Sequence, residues 1–145
     1  MKKMIAIFLA AVAFVLVGCS TPYSLARVPK NTTPLDPSTP VAFVFAYDVP
    51  VAPPGAEYKG TIQTEEASWC SEKGTVETLK EKARSVGANL IYVKKVNSVT
   101  GFLYTQFYSQ VYTCVLVLAD FFYAESELQT AIINHANDKQ NQEAK

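Results

Sequence analysis

The first nineteen residues limit everything that follows. Met1-Lys2-Lys3 is a positive start, and Met4 to Gly18 is a run of fifteen residues without a charge that ends at Cys19. A basic start followed by such a run reads as a secretory signal. As a helix the run reaches only about 22 Å at ~1.5 Å per residue, short of the ~30 Å hydrocarbon core, so a removable signal is a better reading than a permanent span. Cleavage before Cys19 leaves that cysteine and the 126 residues after it. That is enough chain for one small domain and one core.

The end of the run, Leu16-Val17-Gly18-Cys19, resembles the bacterial lipobox: a branched apolar residue at minus 3, a small residue at minus 1, then an obligatory cysteine. The small residue lets a peptidase approach the bond, and the thiol takes a diacylglycerol. Residues 1–18 are then a signal peptide and Cys19 a lipidated (palmitate-type) anchor. Each buried CH₂ contributes ~0.8 kcal/mol, so several acyl chains hold a protein stably on a membrane. Ser20 follows the cysteine, and in Gram-negative lipoproteins that resemblance implies passage to the outer membrane. The domain is expected to face the periplasm or the cell surface.

With the signal gone the chain carries 11 basic and 13 acidic residues. A nucleic-acid partner is not expected, because a phosphate-binding surface normally shows a clustered basic excess. With Cys19 acylated, Cys70 and Cys114 remain as an even pair in an oxidising compartment, and a Cys70 to Cys114 disulfide is the default expectation. The alternatives are two buried thiols, or exchange with a partner's cysteine.

Five of the eight prolines fall between Ser20 and Pro40 among Ser, Thr and Asn, without apolar periodicity. Residues 19–40 therefore read as the lipidated cysteine and a proline-rich tether that holds the domain away from the lipid. Asn31-Thr32-Thr33 matches a glycosylation sequon but reads as a linker turn.

The domain is expected over 41–137. Val41 to Tyr47 alternates large (Val41, Phe43, Phe45, Tyr47) with small (Ala42, Val44, Ala46) residues, which predicts a strand buried on both faces with a helix close to the small one. Pro50, Pro53, Pro54 and Gly55 form a loop, and Tyr58 to Gln63 is a second strand. Val76, Leu79, Ala83 and Val86 recur at helical spacing over Gly74 to Val86, and Gly87 ends that helix. A strand follows over Leu90 to Val96, a turn over Asn97 to Gly101, then one long or two short strands from Phe102 to Leu118. Leu128, Ala131, Ile132 and His135 suit a closing amphipathic helix over about Glu125 to His135. Residues 138–145 are polar and read as a disordered tail. The fold class is α+β: a small, mostly antiparallel sheet of about four strands with one main helix packed on it and a C-terminal helix.

Tyr58-Lys59-Gly60-Thr61, Cys70, Leu79, Ala83, the run Val86-Gly87-Ala88-Asn89-Leu90-Ile91 and a final strand containing Cys114 together resemble the RcsF-like family of envelope lipoproteins and its YbjQ-like structural relatives. The Gly-Ala-Asn between helix and strand is the most specific piece. The resemblance spans about Tyr58 to Leu118 and implies a small α+β domain on an outer-membrane lipoprotein, in the better-known members a sensor of envelope damage that signals through protein contacts. The family's two interlocked disulfides need four cysteines in the folded domain, where this chain has Cys70 and Cys114. Its final strand also ends Val115-Leu116-Val117-Leu118, without the family's small residues.

Catalytic chemistry is sparse. His135 is the sole histidine, which excludes HExxH and makes a Ser-His-Asp arrangement a poor reading. No glycine cluster suits a phosphate, and no cofactor or metal is expected. Glu65 and Glu66 beside Trp69 form a candidate acid pair, although adjacent side chains on a strand normally point apart. Phe102, Tyr104, Phe107, Tyr108 and Tyr112 read mainly as sheet packing. Trp69, Tyr104, Tyr108 and Tyr112 are the candidate partner-binding residues, because such rings supply contact area at low entropic cost. The expectation is a non-enzymatic binding or stress-signalling module that contacts the membrane through its lipid and other envelope proteins through its domain. The alternatives are an envelope enzyme using Glu65, Glu66 or a free Cys70, and a purely structural envelope protein.

Overall fold

The computed structural model describes residues 21–67 and 70–143, with side chains described through Lys139. The signal peptide, Cys19 and Trp69 lie outside the described residues. The elements are β1 (Tyr23–Ala26), β2 (Ala42–Phe45), β3 (Glu57–Thr64), α1 (Glu72–Ser85), β4 (Leu90–Tyr104), β5 (Ser109–Tyr123) and α2 (Ser126–Glu143). The fold is α+β, with one open sheet in the order β1-β3-β5-β4-β2. Every pairing is antiparallel except that of β2 with β4.

Strand alternation explains the two helix layers. Ile91, Val93, Val117, Ala119, Phe121 and Ile62 pack beneath Leu79 and Ala83 of α1. Leu90, Tyr92, Phe122 and Val44, on the opposite face, pack beneath Ile132 and Leu128 of α2. The two-faced alternation in β2 is present, with Phe43 and Phe45 on the α1 side and Ala42, Val44 and Ala46 toward the closing helix, but the strand is shorter than expected and mostly half-buried: it ends at Phe45, and Tyr47 is exposed.

α1 begins where Ser71 accepts a hydrogen bond from the Gly74 amide at 3.1 Å, with Glu72 in the first turn. It ends in a Schellman motif, in which Ala88 N–H donates to the Ala83 carbonyl and Gly87 N–H to that of Arg84. Gly87 has φ +77, and a Cβ there would lie 2.7 Å from the Thr33 carbonyl oxygen. Asn89 then fastens the end of β5: its Nδ2 donates to the Ala124 carbonyl at 2.7 Å, and its Oδ1 accepts from the Ala124 amide at 2.9 Å. The Gly-Ala-Asn run is therefore the joint at which helix, sheet and C-terminal segment meet.

Three expectations need correction. From Thr21 onward the expected tether is not free chain: Tyr23–Ala26 pairs with Thr61–Thr64 as a fifth strand. The remainder crosses the C-terminal end of α1, where Leu35 N–H donates to the Arg84 carbonyl and Arg84 Nε to that of Thr39, both at 2.9 Å. Asn97 to Gly101 is not a turn, because it lies within β4 and pairs with Tyr112 to Leu116. The turn is Thr105 to Tyr108, where Thr105 Oγ1 accepts the amides of Phe107 and Tyr108 at 3.3 and 3.1 Å. Finally, α2 continues to Glu143, through most of the stretch read as a disordered tail.

Candidate interaction surface

β4 and β5 are 15 residues each, but their other partners cover only the base. β2 reaches β4 at Leu90 to Val93, and β3 reaches β5 at Leu118 to Tyr123. Beyond those limits the two strands pair only with each other, so the hairpin projects as a two-stranded arm. At ~3.4 Å per residue the stretch from Val96 to Tyr104 adds about 27 Å. A two-stranded hairpin is marginal on its own. Its base is therefore fixed three ways.

Cys114, fully buried, is joined to Cys70 just before α1 with their Cα atoms 5.3 Å apart. Thr64 Oγ1 accepts from the Val117 amide at 2.7 Å. Tyr112 lies over Gly101, where a Cβ would overlap the ring, and its hydroxyl donates to Glu66 at 2.9 Å. That hydrogen bond to a carboxylate, followed by partial desolvation and the negative charge of Glu66, pushes the Tyr112 phenol above its ordinary range. Of the candidate contact residues, Tyr112 is thus part of the arm's own brace.

Tyr104 and Tyr108 are at the tip, with neighbours the sequence reading assigned to packing. Phe107 is 91% exposed, Tyr104 76%, Phe102 64%, Val111 58% and Val96 47%. Register places Val96 opposite Val117 and Phe102 opposite Val111. Because Val117 packs under α1, alternation puts Val96, Phe102, Tyr104 and Val111 on the α1 side of the arm. The 6.3 Å stacking of the Phe102 and Tyr104 rings agrees. At the base of the arm Val96 also lines an open groove of about 430 Å³ beside α1, whose wall is mainly apolar (Phe43, Phe45, Val76, Leu79 and Val115 included) but also carries Glu72 and Lys80. Ser98 and the Thr100–Thr113 pair lie on the same face between Val96 and the Phe102–Val111 pair, so the exposed apolar surface is concentrated toward the tip, and a cluster of exposed rings there marks an interaction site. The signal for it was in the sequence: Val96 to Ala119 contains no charged residue.

The acid pair does not assemble into an acid/base site. Glu65 and Glu66 are exposed, and Glu66 is occupied by Tyr112. The disulfide consumes the Cys70 thiol. His135 is exposed on α2. Among the described residues no group of three or more His, Cys, Asp or Glu is placed to hold a metal ion, and no helix is long and apolar enough to cross a membrane. Comparison with known families, curated proteins and solved structures finds no match to this chain.

Proposed function

We propose that the protein is an outer-membrane lipoprotein, anchored through Cys19, whose domain is a non-enzymatic contact module of the cell envelope. The observation that carries the reading is the braced, uncharged arm with Phe102, Tyr104 and Phe107 in solvent. Ordinary surfaces avoid such a display, and a fold that covalently staples it in place keeps it for a contact. The lipobox pattern supports the anchor, and the resemblance to RcsF-like lipoproteins supports a stress-signalling role for that contact.

Mass measurement of the mature protein, intact and reduced, tests the anchor. The expected species starts at Cys19, carries acyl chains and gains two hydrogens on reduction. A mass starting elsewhere, or lacking acyl chains, removes the anchor reading. Paired Phe102→Ser and Tyr104→Ser substitutions test the contact. They are expected to leave folding stability within about 0.5 kcal/mol, as exposed sites do, and to abolish the protein's envelope phenotype or crosslinks. Full retention of both removes the arm from the function.

A further inference from the structure

The point at which the chain leaves the domain bears on what the arm touches. β1 is antiparallel to β3, with Tyr23 opposite Thr64 and Ala26 opposite Thr61. Tracing back from Tyr23 therefore follows the direction in which β3 ends, which is the direction in which β5 runs out to the arm. Thr21 is buried there on the α1 side of the sheet. Its amide donates to Thr78 Oγ1 at 3.2 Å, and its hydroxyl meets Thr75 Oγ1 at 3.3 Å. Thr75 in turn donates to the Val115 carbonyl, at the base of the arm. The N-terminal exit and the apolar stripe thus share one face and one end of the molecule.

Cys19 is two residues before Thr21, a reach of about 7 Å at ~3.5 Å per residue. An acylated Cys19 brings the bilayer surface to the base of the arm, and the rest of the arm then extends well beyond the anchor. Resting on the proposed lipid anchor, we infer that the arm reclines on the same membrane, with Phe102, Tyr104 and Val111 turned into its interface. Tyrosine and neighbouring apolar rings suit that layer, where one end of the ring is apolar and the other wet. The absence of charge from Val96 to Ala119 removes the main cost of approaching lipid. Depth is limited by the backbone. Both outer edges of the arm carry unpaired N–H and C=O groups, which the hydrocarbon cannot satisfy, so the arm lies in the interface and does not span. Lipid and arm then act as two membrane attachments, the arrangement that makes anchoring stable and fixes orientation.

The test uses full-length protein, confirmed as acylated by mass, in vesicles of phosphatidylethanolamine and phosphatidylglycerol containing brominated acyl chains. Tyr104→Trp places a reporter on the stripe, and Gln110→Trp places one on the opposite face of the arm. Against the wild-type background, the Tyr104→Trp protein is expected to show blue-shifted emission quenched by the brominated lipid, and the Gln110→Trp protein unquenched emission. Adding Phe102→Ser and Val111→Ser is expected to reduce the Tyr104→Trp quenching at least about tenfold. Equal quenching of both reporters overturns the orientation. Lipidated protein with neither reporter quenched overturns the membrane contact and leaves the anchor standing. A blue shift without lipid quenching, growing with protein density, assigns the stripe to a second copy, and one appearing only with envelope proteins present assigns it to a protein; either overturns the inference. A mass without acyl chains removes the anchor and this inference together.

Discussion

Replacing Asn89 with alanine should destabilise the domain by about 2–4 kcal/mol. The side chain makes two hydrogen bonds, both to the backbone of Ala124, which is buried. Truncation leaves the Ala124 N–H and C=O without partners, and each such buried group costs ~1–3 kcal/mol. Together the two give about 2–6 kcal/mol; Asn89 retains a little solvent contact, so water relieves part of the loss and the total falls in the lower half of that span. Its main-chain bonds to Phe122 and Ala42 survive the change. Urea unfolding of the disulfide-intact protein is the assay, with the midpoint lowered at unchanged slope. Asn89→Asp refines the test. Protonated, it offers the same acceptor to the Ala124 amide and a hydroxyl donor to the Ala124 carbonyl; ionised, it turns an anion toward that carbonyl in a buried site. Its folded pKa is therefore raised above the unfolded value of ~3.9. The folded state then binds more protons than the unfolded one between the two values, so stability relative to wild type is greatest below about pH 4 and falls as pH rises to the folded pKa. An alanine variant within about 0.5 kcal/mol of wild type would refute the reasoning, as would an aspartate variant without that pH dependence.

Two further predictions concern the arm's brace. The 44-residue separation of Cys70 and Cys114 corresponds to ~4 kcal/mol in the chain-entropy estimate, so the Cys70→Ser, Cys114→Ser protein should unfold at markedly lower urea, and limited proteolysis should cut it first in the arm; unchanged midpoints would contradict this. Tyr112 should ionise above the ordinary tyrosine range, and Glu66→Gln should bring it down; ultraviolet pH titrations of wild type and variant that superimpose would show the hydrogen bond to be absent in solution.

The elements legible in the sequence are those whose pattern is local. Phe43 and Phe45 against Ala42 and Val44 announced a two-faced strand, and Leu79 and Ala83 with Gly87 announced a capped helix. Elements decided by distant partners were not legible. Tyr23-Ser24-Leu25-Ala26 alternates over only four residues, too few to stand out between prolines, and is a strand because Thr61 to Thr64 offers an edge. Asn97-Ser98-Val99-Thr100-Gly101 has turn chemistry, yet pairing with β5 overrides it, and Tyr112 covers the glycine that looked like a break. The real turn lacks Gly, Asn and Pro and depends on the Thr105 hydroxyl. For the interaction surface, residue types drew attention to Tyr104 and Tyr108, but only register separates the bracing Tyr112 from the exposed stripe.

The burial of Thr21 also determines how the domain carries load. A pull transmitted through the N-terminus enters at the Thr21 bonds to Thr75 and Thr78 and at the 2.8 Å bond from the Glu65 amide to the Pro22 carbonyl. It then acts along the axis of β1, so the ladder to β3 is loaded in shear, with its bonds sharing the force instead of opening one after another. Beside that entry point the Cys70 to Cys114 bond joins the segment before α1 to the arm. Tension between the N-terminus and the arm would therefore pass through the first turns of α1 and the base of the hairpin, leaving β2 and α2 outside the strained path.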